Sequence, residues 1–308
     1  MCCAEGDGLG HLTRVRAALH TLGYGGRPVT ILSGSPFAAD PRVVGDVPVR
    51  RPPPGLDRAG LNGWTAATLA GLAPAEVIID AFPAGLRGEL TADAVPDGTR
   101  VTHLARLLRW DAYRPLLPDA PPRFDRTFVL EPLHPRHLAH LEAVSAETTP
   151  LRLTDPEPPE PAAGAEPGAD LDGWLIVHSG PDAEILELLA YARETAAMEG
   201  LLPRLTLAAP HRPSALPDGV AHLDVYPVWP LASRAERIIT AAGFNTVRQF
   251  APWRAKHRVV PFPRSLDDQY ARAAAYRHDA GADAAGQAGR SKVTPTSSAS
   301  LRAPKNAE

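Results

Sequence analysis

Two short runs in the C-terminal third place hydroxyl, amide and carboxylate groups directly after apolar, β-branched segments. In the first, residues 237–240 (RIIT) lead into Ala241-Ala242-Gly243, and Asn245 and Thr246 begin a helical stretch that reaches 250. In the second, residues 258–261 (RVVP) lead into Pro261-Phe262-Pro263, and Asp267-Asp268-Gln269 opens another helix. Turns at the C-terminal ends of strands are where open α/β sheets bind ligands. A helix N-terminus there presents unpaired N–H groups and a partial positive charge, which suits a phosphate. Asn245, Thr246, Asp268 and Gln269 carry groups that can hold ribose or sugar hydroxyls. Ordinary helix capping uses the same residue types.

Three further turns have the same grammar. Gly6-Asp7-Gly8-Leu9-Gly10-His11 precedes LTRVRAALHTLG, in which Leu12, Val15, Leu19 and Leu22 share one helical face. Gly8 and Gly10 let the backbone approach a ligand closely. His11 titrates near neutrality and is a candidate general base, the alternative being a capping or structural residue. A buried strand from 76 ends at Asp80, a second candidate base, before Phe82-Pro83-Ala84-Gly85-Leu86-Arg87-Gly88-Glu89-Leu90. Arg87 and Glu89 there read as structural charges near a helix start. Residues 174–177 form a strand that turns through His178-Ser179-Gly180-Pro181, where Ser179 and Gly180 can offer backbone N–H groups to a phosphate.

These turns need a frame of alternating strands and helices. Further strands read at 29–32, 47–51, 100–104, 126–130, 204–208 and 220–225, with a helix over 64–72, which predicts parallel α/β domains. Residues 154–172 (TDPEPPEPAAGAEPGADLD) read as an extended, solvated seam. The expected layout is a first domain over 1–150, a linker over 151–172, a second domain over 173–276 and a disordered tail over 277–308.

Composition narrows the function. The 308 residues are 44% hydrophobic and 22% charged with a net charge of −3, so general nucleic-acid binding is not expected. The two cysteines, Cys2 and Cys3, are adjacent and cannot staple the fold, which with no visible signal segment predicts a reduced cytoplasmic protein. No stretch approaches about 18 apolar residues, so no membrane span is expected, although peripheral contact with a membrane is compatible with the sequence. His134, His137 and His140 recur every third residue, but no carboxylate or cysteine pattern completes a metal site. Neither a Walker loop nor a G-x-S-x-G elbow is present. Asp170-Leu171-Asp172 reads as linker acidity.

Ala242-Gly243-Phe244-Asn245-Thr246, Pro261-Phe262-Pro263 with Asp267-Asp268-Gln269, and Gly8-Leu9-Gly10-His11-Leu12-Thr13-Arg14 resemble the loops of GT-B glycosyltransferases. They are most similar to those of the peptidoglycan-precursor N-acetylglucosaminyltransferase family and of predicted bacterial glycosyltransferases. The D-x-F-P-x-G-L-R-G-E-L run is the most specific match to the latter. The resemblance implies two Rossmann-like domains facing a cleft, an acceptor site on the first and a donor site on the second. It implies inverting, metal-independent sugar transfer from a nucleoside-diphosphate sugar, UDP-linked donors included, to a small-molecule or lipid-linked acceptor, with no cofactor. Gly8, Gly10, Ser179, Gly180, Gly243, Asn245, Thr246, Asp268 and Gln269 would hold the donor. Gln249 stands where related enzymes often carry a ribose-binding Glu. The helix that normally returns from the second domain to the first has no counterpart in the pattern, which reads as a truncated second domain. A nucleotide-sugar epimerase or hydrolase, or a non-catalytic nucleotide-sugar binder, fits the same residues.

Overall fold

In this computed structural model the described residues are 2–3, 8–158 and 171–278. The chain builds two parallel sheets. The first contains β1 (Cys2–Cys3), β2 (Ile31–Leu32), β3 (Val49–Arg50), β4 (Glu76–Ala81), β5 (Arg100–Ala105), β6 (Arg126–Val129) and β7 (Thr148–Pro150). Its helices are α1 (Leu9–Thr21), α2 (Pro41–Val44), α3 (Arg58–Leu72), α4 (Trp110–Tyr113) and α5 (Pro135–Val144). The second contains β8 (Trp174–Val177), α6 (Asp182–Met198), β9 (Leu205–Ala208), β10 (Val220–Leu223), β11 (Arg237–Ala241), α7 (Phe244–Gln249) and β12 (His257–Val260). A last helix, α8, covers residues 269–278.

The strand orders are β3-β2-β1-β4-β5-β6-β7 and β10-β9-β8-β11-β12. Both follow the doubly wound scheme, in which the chain starts in the middle, winds outward and then reverses. The reversal falls between β1 and β4 in one sheet and between β8 and β11 in the other. A crevice opens at such a switch point because the flanking crossovers leave in opposite directions. The loops after β1, β4, β8 and β11 are the ones that the sequence marked with glycine, histidine, serine and asparagine.

The strands are apolar because both faces are covered. Val77, Ile78 and Ile79 of β4 and Leu104 of β5 are buried, with Leu12 and Val15 of α1 packed on one side. In the second domain Trp174 and Ile176 of β8 and Ile239 of β11 pack against Ile185, Leu188, Leu189 and Ala192 of α6. Several boundaries differ from the pattern reading. Helix α3 begins six residues earlier than expected, because the Asp57 carboxylate accepts from Gly60 N at 2.7 Å and caps it. The run 148–150 adds an edge strand beside β6.

The seam begins later than its composition suggests. Leu153 is buried in the first core, and Asp155 accepts from Arg248 of α7 at 2.6 and 2.9 Å. Residues 159–170, with most of the expected linker, lie outside the described residues, as do 279–308 of the expected tail. Leu171 is buried in the second core.

The domains meet through apolar and charged contacts. Phe244 of α7 inserts into the first domain's core cluster. Arg272 of α8 crosses to Glu131 after β6, with both guanidinium contacts at 2.8 Å, and also binds Asp267. Arg106 after β5 pairs with the same Asp267. Arg109 N donates to Leu266 O at 2.8 Å. Glu131, Arg106, Asp267 and Arg272 therefore form one neutral, largely buried network at the base of the interface.

Candidate functional site

The two switch points enclose a cavity of about 840 Å³. The first domain contributes Gly8, Gly10, His11, Arg14, Phe37 and Arg106. The second contributes Ser179, Gly180, Gly243, Asn245, Thr246, Gln249 and Gln269. Eight of the nine expected donor residues, together with Gln249 and His11, thus line a single space. Asp80 and Asp268 do not line it.

Asp80 lies behind His11. Its side chain is wholly buried at the C-terminal end of β4 and accepts from His11 Nδ1 at 2.6 Å, Arg14 Nε at 2.5 Å and Arg14 Nη2 at 2.7 Å. Ala81, directly after it, has φ +66, a conformation that costs a residue with a Cβ about 1 kcal/mol. The Arg14 and His11 contacts overcome the effect of burial and hold the Asp80 carboxyl well below the ordinary carboxylate range. An ionised carboxylate with three donors is a poor proton acceptor, and in this geometry Asp80, expected as a second candidate base, orients the His11 ring.

That assignment fixes the His11 tautomer. A carboxylate can only accept, so His11 carries its proton on Nδ1. Among the described residues Nε2 has no hydrogen-bond partner. Burial lowers the His11 pKa, and Asp80 opposes that shift only in part. At neutral pH the ring is therefore uncharged, with a lone pair on Nε2. Phe82 stacks on His11 with centroids 5.8 Å apart, and the Arg14 guanidinium lies 5.7 Å from the Phe244 ring centroid. Arg14, which holds Asp80, is thereby packed against the second domain.

On the opposite wall, Asn245 Nδ2 donates to Gly10 O at 2.6 Å and ties the turn after β11 to the glycine loop. Its Oδ1 is buried without a partner. Thr246 Oγ1 donates to Ala241 O and Gly243 O at 3.0 and 2.9 Å, which closes the turn. Gln249 Nε2 donates to Asp155 at 3.0 Å, so the amide is held by the segment leaving the first domain. Gln269 Oε1 accepts from Phe262 N at 3.0 Å. Asp268 caps α8 by accepting from Ala271 N at 3.0 Å, and of the two neighbouring acids it is Asp267 that lines the cavity. Asp268, expected among the donor-holding residues, is engaged in helix capping.

The phosphate reading also changes in emphasis. Helix α7 has six residues and a weak cumulative dipole, whereas α6 has seventeen. The first turn of α6 carries Asp182 and Glu184. Glu184 accepts from His178 Nε2 at 2.8 Å and from both terminal nitrogens of Arg264 at 2.5 Å. Gly180 is required here by close approach, since a Cβ would lie 2.4 Å from His178 Nε2.

The run after Asp80 is architectural. Gly85 (φ +80) and Gly88 (φ +70) occupy the left-handed region, and a Cβ on Gly85 would strike the Glu89 carboxylate. Glu89 accepts from Arg87 N at 2.7 Å, so the two residues meet through backbone rather than as a side-chain pair. Of the three spaced histidines, His137 is fully buried and stacked on Trp110 at 4.5 Å. Among the described residues no cluster of histidine, cysteine or carboxylate groups has metal-binding geometry.

No protein-family model matches the sequence, and no curated protein matches it. Solved structures do. The glycosyltransferase SnogD from Streptomyces nogalater is 17% identical, with 86% of this chain and 81% of that one covered at a TM-score of 0.54. The SsfS6 glycosyltransferase of Streptomyces sp. SF2575, complexed with thymidine diphosphate, is 14% identical over 91% of this chain and 85% of its own, at 0.58. The spinosyn rhamnosyltransferase SpnG, also complexed with thymidine diphosphate, is 16% identical over 91% and 84%, at 0.53. The fold is that of the GT-B glycosyltransferases. No helix among the described residues is long and apolar enough to cross a membrane.

Proposed function

We propose that the protein transfers a sugar from a nucleoside-diphosphate sugar to a hydroxyl or amine of an acceptor, with inversion at the anomeric carbon. The observation that carries this reading is the His11–Asp80 pair at the cleft, with Nδ1 bound to the carboxylate and Nε2 left free. His11 Nε2 takes the acceptor proton as the acceptor atom attacks the anomeric carbon. Asp80 stabilises the imidazolium that results. The bond from the sugar to the diphosphate breaks on the opposite face, and the diphosphate leaves with the electron pair. Backbone N–H groups around Ser179, Gly180 and Gly243 face that leaving charge. The unpartnered Asn245 Oδ1 and the Oε1 of Gln249 accept from donor hydroxyls. Two similar structures hold thymidine diphosphate, so thymidine-linked donors stand beside UDP-linked ones as candidates.

The test uses UDP-, TDP- and GDP-sugars with a panel of acceptors, following both nucleotide release and product. One nucleotide series should bind and turn over, and His11→Ala should keep the binding while slowing transfer by roughly 10²–10⁴-fold. Release of free sugar or an epimer without acceptor would favour the hydrolase or epimerase reading. Binding without turnover, indifferent to His11→Ala, would mark a binding protein.

A further inference from the structure

The donor side of the cavity carries an anion of its own. Glu184 occupies the first turn of α6, beside the Ser179-Gly180 turn. Its two carboxylate oxygens take both terminal nitrogens of Arg264 at 2.5 Å and His178 Nε2 at 2.8 Å. Gly180, His178, Glu184 and Arg264 all line the cavity. A Cβ at Gly180 would lie only 3.2 Å from Glu184 Oε2, so this carboxylate sits against the very turn that offers backbone N–H groups. A guanidinium fork and an imidazole N–H converge on one carboxylate in the first turn of α6. The same set matches two adjacent phosphate groups.

Charge makes the two occupants exclusive. With Glu184 in place the cluster is neutral, because Arg264 is cancelled and burial keeps His178 uncharged. A diphosphate brings at least two negative charges into the same few ångströms. We propose that Glu184 is a resident stand-in for the donor's diphosphate, and that Arg264 and His178 pass from Glu184 to the diphosphate when the nucleotide binds. This rests on the donor reading above and adds to it an exchange of anions. Glu184 has somewhere to go, since its side chain is already 16% exposed and faces the open cavity. The arrangement makes an empty site self-neutral, so free inorganic anions compete poorly for it.

The experiment is calorimetric titration of UDP, TDP, GDP, the corresponding nucleosides and inorganic pyrophosphate into the parent, Glu184→Gln and Arg264→Gln. Melting curves establish that each variant is folded. Glu184→Gln keeps the shape and removes the charge, and it should bind the cognate nucleoside diphosphate at least tenfold more tightly and acquire measurable pyrophosphate binding. Arg264→Gln should weaken the nucleoside diphosphate tenfold or more while leaving the nucleoside unchanged. Unchanged or weaker binding in Glu184→Gln, in a parent that does bind a nucleoside diphosphate, overturns the exchange and makes Glu184 a support for Arg264. If parent and Glu184→Gln both ignore every nucleotide, the donor reading fails and the exchange with it.

Discussion

Asp80→Asn isolates the charge at the centre of the site while preserving its shape. Asparagine matches aspartate in volume but replaces one accepting oxygen with an NH₂ group. In the parent that carboxylate takes three donors at 2.5–2.7 Å, and its side chain has no exposure. The variant must turn its NH₂ toward either Arg14 or His11, both of which are donors there. The Arg14 side chain is 3% exposed, so its guanidinium keeps its charge and loses its anion. Removing one member of such a buried pair costs about 3–5 kcal/mol. The sign of the pH dependence supplies an independent check. The folded-state pKa of Asp80 lies below its unfolded value, so the unfolded state binds the proton first. The stabilisation is therefore complete above about pH 4 and declines as pH falls toward the folded-state value. Urea unfolding followed by circular dichroism at pH 7 should show the full loss with an unchanged m-value. The gap between parent and variant should narrow below pH 4. A loss under about 1 kcal/mol at pH 7 would refute the buried pair. Replacing both residues, as Arg14→Met with Asp80→Leu, should recover much of the stability that the single change removes.

Other expectations test other parts of the molecule. Burial lowers His103 to about 4 and His137 and His257 to about 3, so each must stay neutral for the fold to persist. The unfolded chain protonates them near pH 6.5, and stability should fall by roughly 1 kcal/mol per histidine per pH unit below about 6, which acid titration of the melting temperature reads directly. Arg272→Met should leave Glu131 and Asp267 facing each other at the domain junction and destabilise by about 3 kcal/mol, whereas Arg136→Met, whose partner Asp111 is exposed, should change little. Leu104→Ala, at 0% exposure in the first core, should cost about 2–5 kcal/mol by denaturant titration.

Sequence periodicity located most strands and the turns that bear polar groups, because parallel buried strands are apolar runs and glycine turns punctuate them. His11 and Asn245 stood out for the same reason, being polar residues at the ends of such runs. Partnerships were not legible. Asp80 lies 66 residues from Arg14 in the chain, and only the adjacency of β1 and β4 brings them together. Whether Asp267 or Asp268 faces the cavity turns on which of two identical side chains caps α8, a choice that composition does not encode. Glu184 was hidden more thoroughly. An acid in the first turn of a helix is the commonest of surface features, and its significance comes from Arg264, eighty residues on.

The charges at the base of the interface have a bearing on how such a fold can be recombined. Arg106 and Glu131 belong to the first domain and Asp267 and Arg272 to the second, and the pairs Arg106–Asp267 and Arg272–Glu131 form only when the two halves meet. Each half carries one charge of either sign, but the first presents Arg106 and Glu131 to different partners, and the second presents an acid and a base that answer both. A chimera that grafts a foreign second domain onto this first domain inherits that requirement. A cut that leaves Leu153 with the first core and Leu171 with the second respects both folding units, yet the graft will dock only if it carries counterparts of Asp267 and Arg272. The two domains are thus matched through four side chains, two from each.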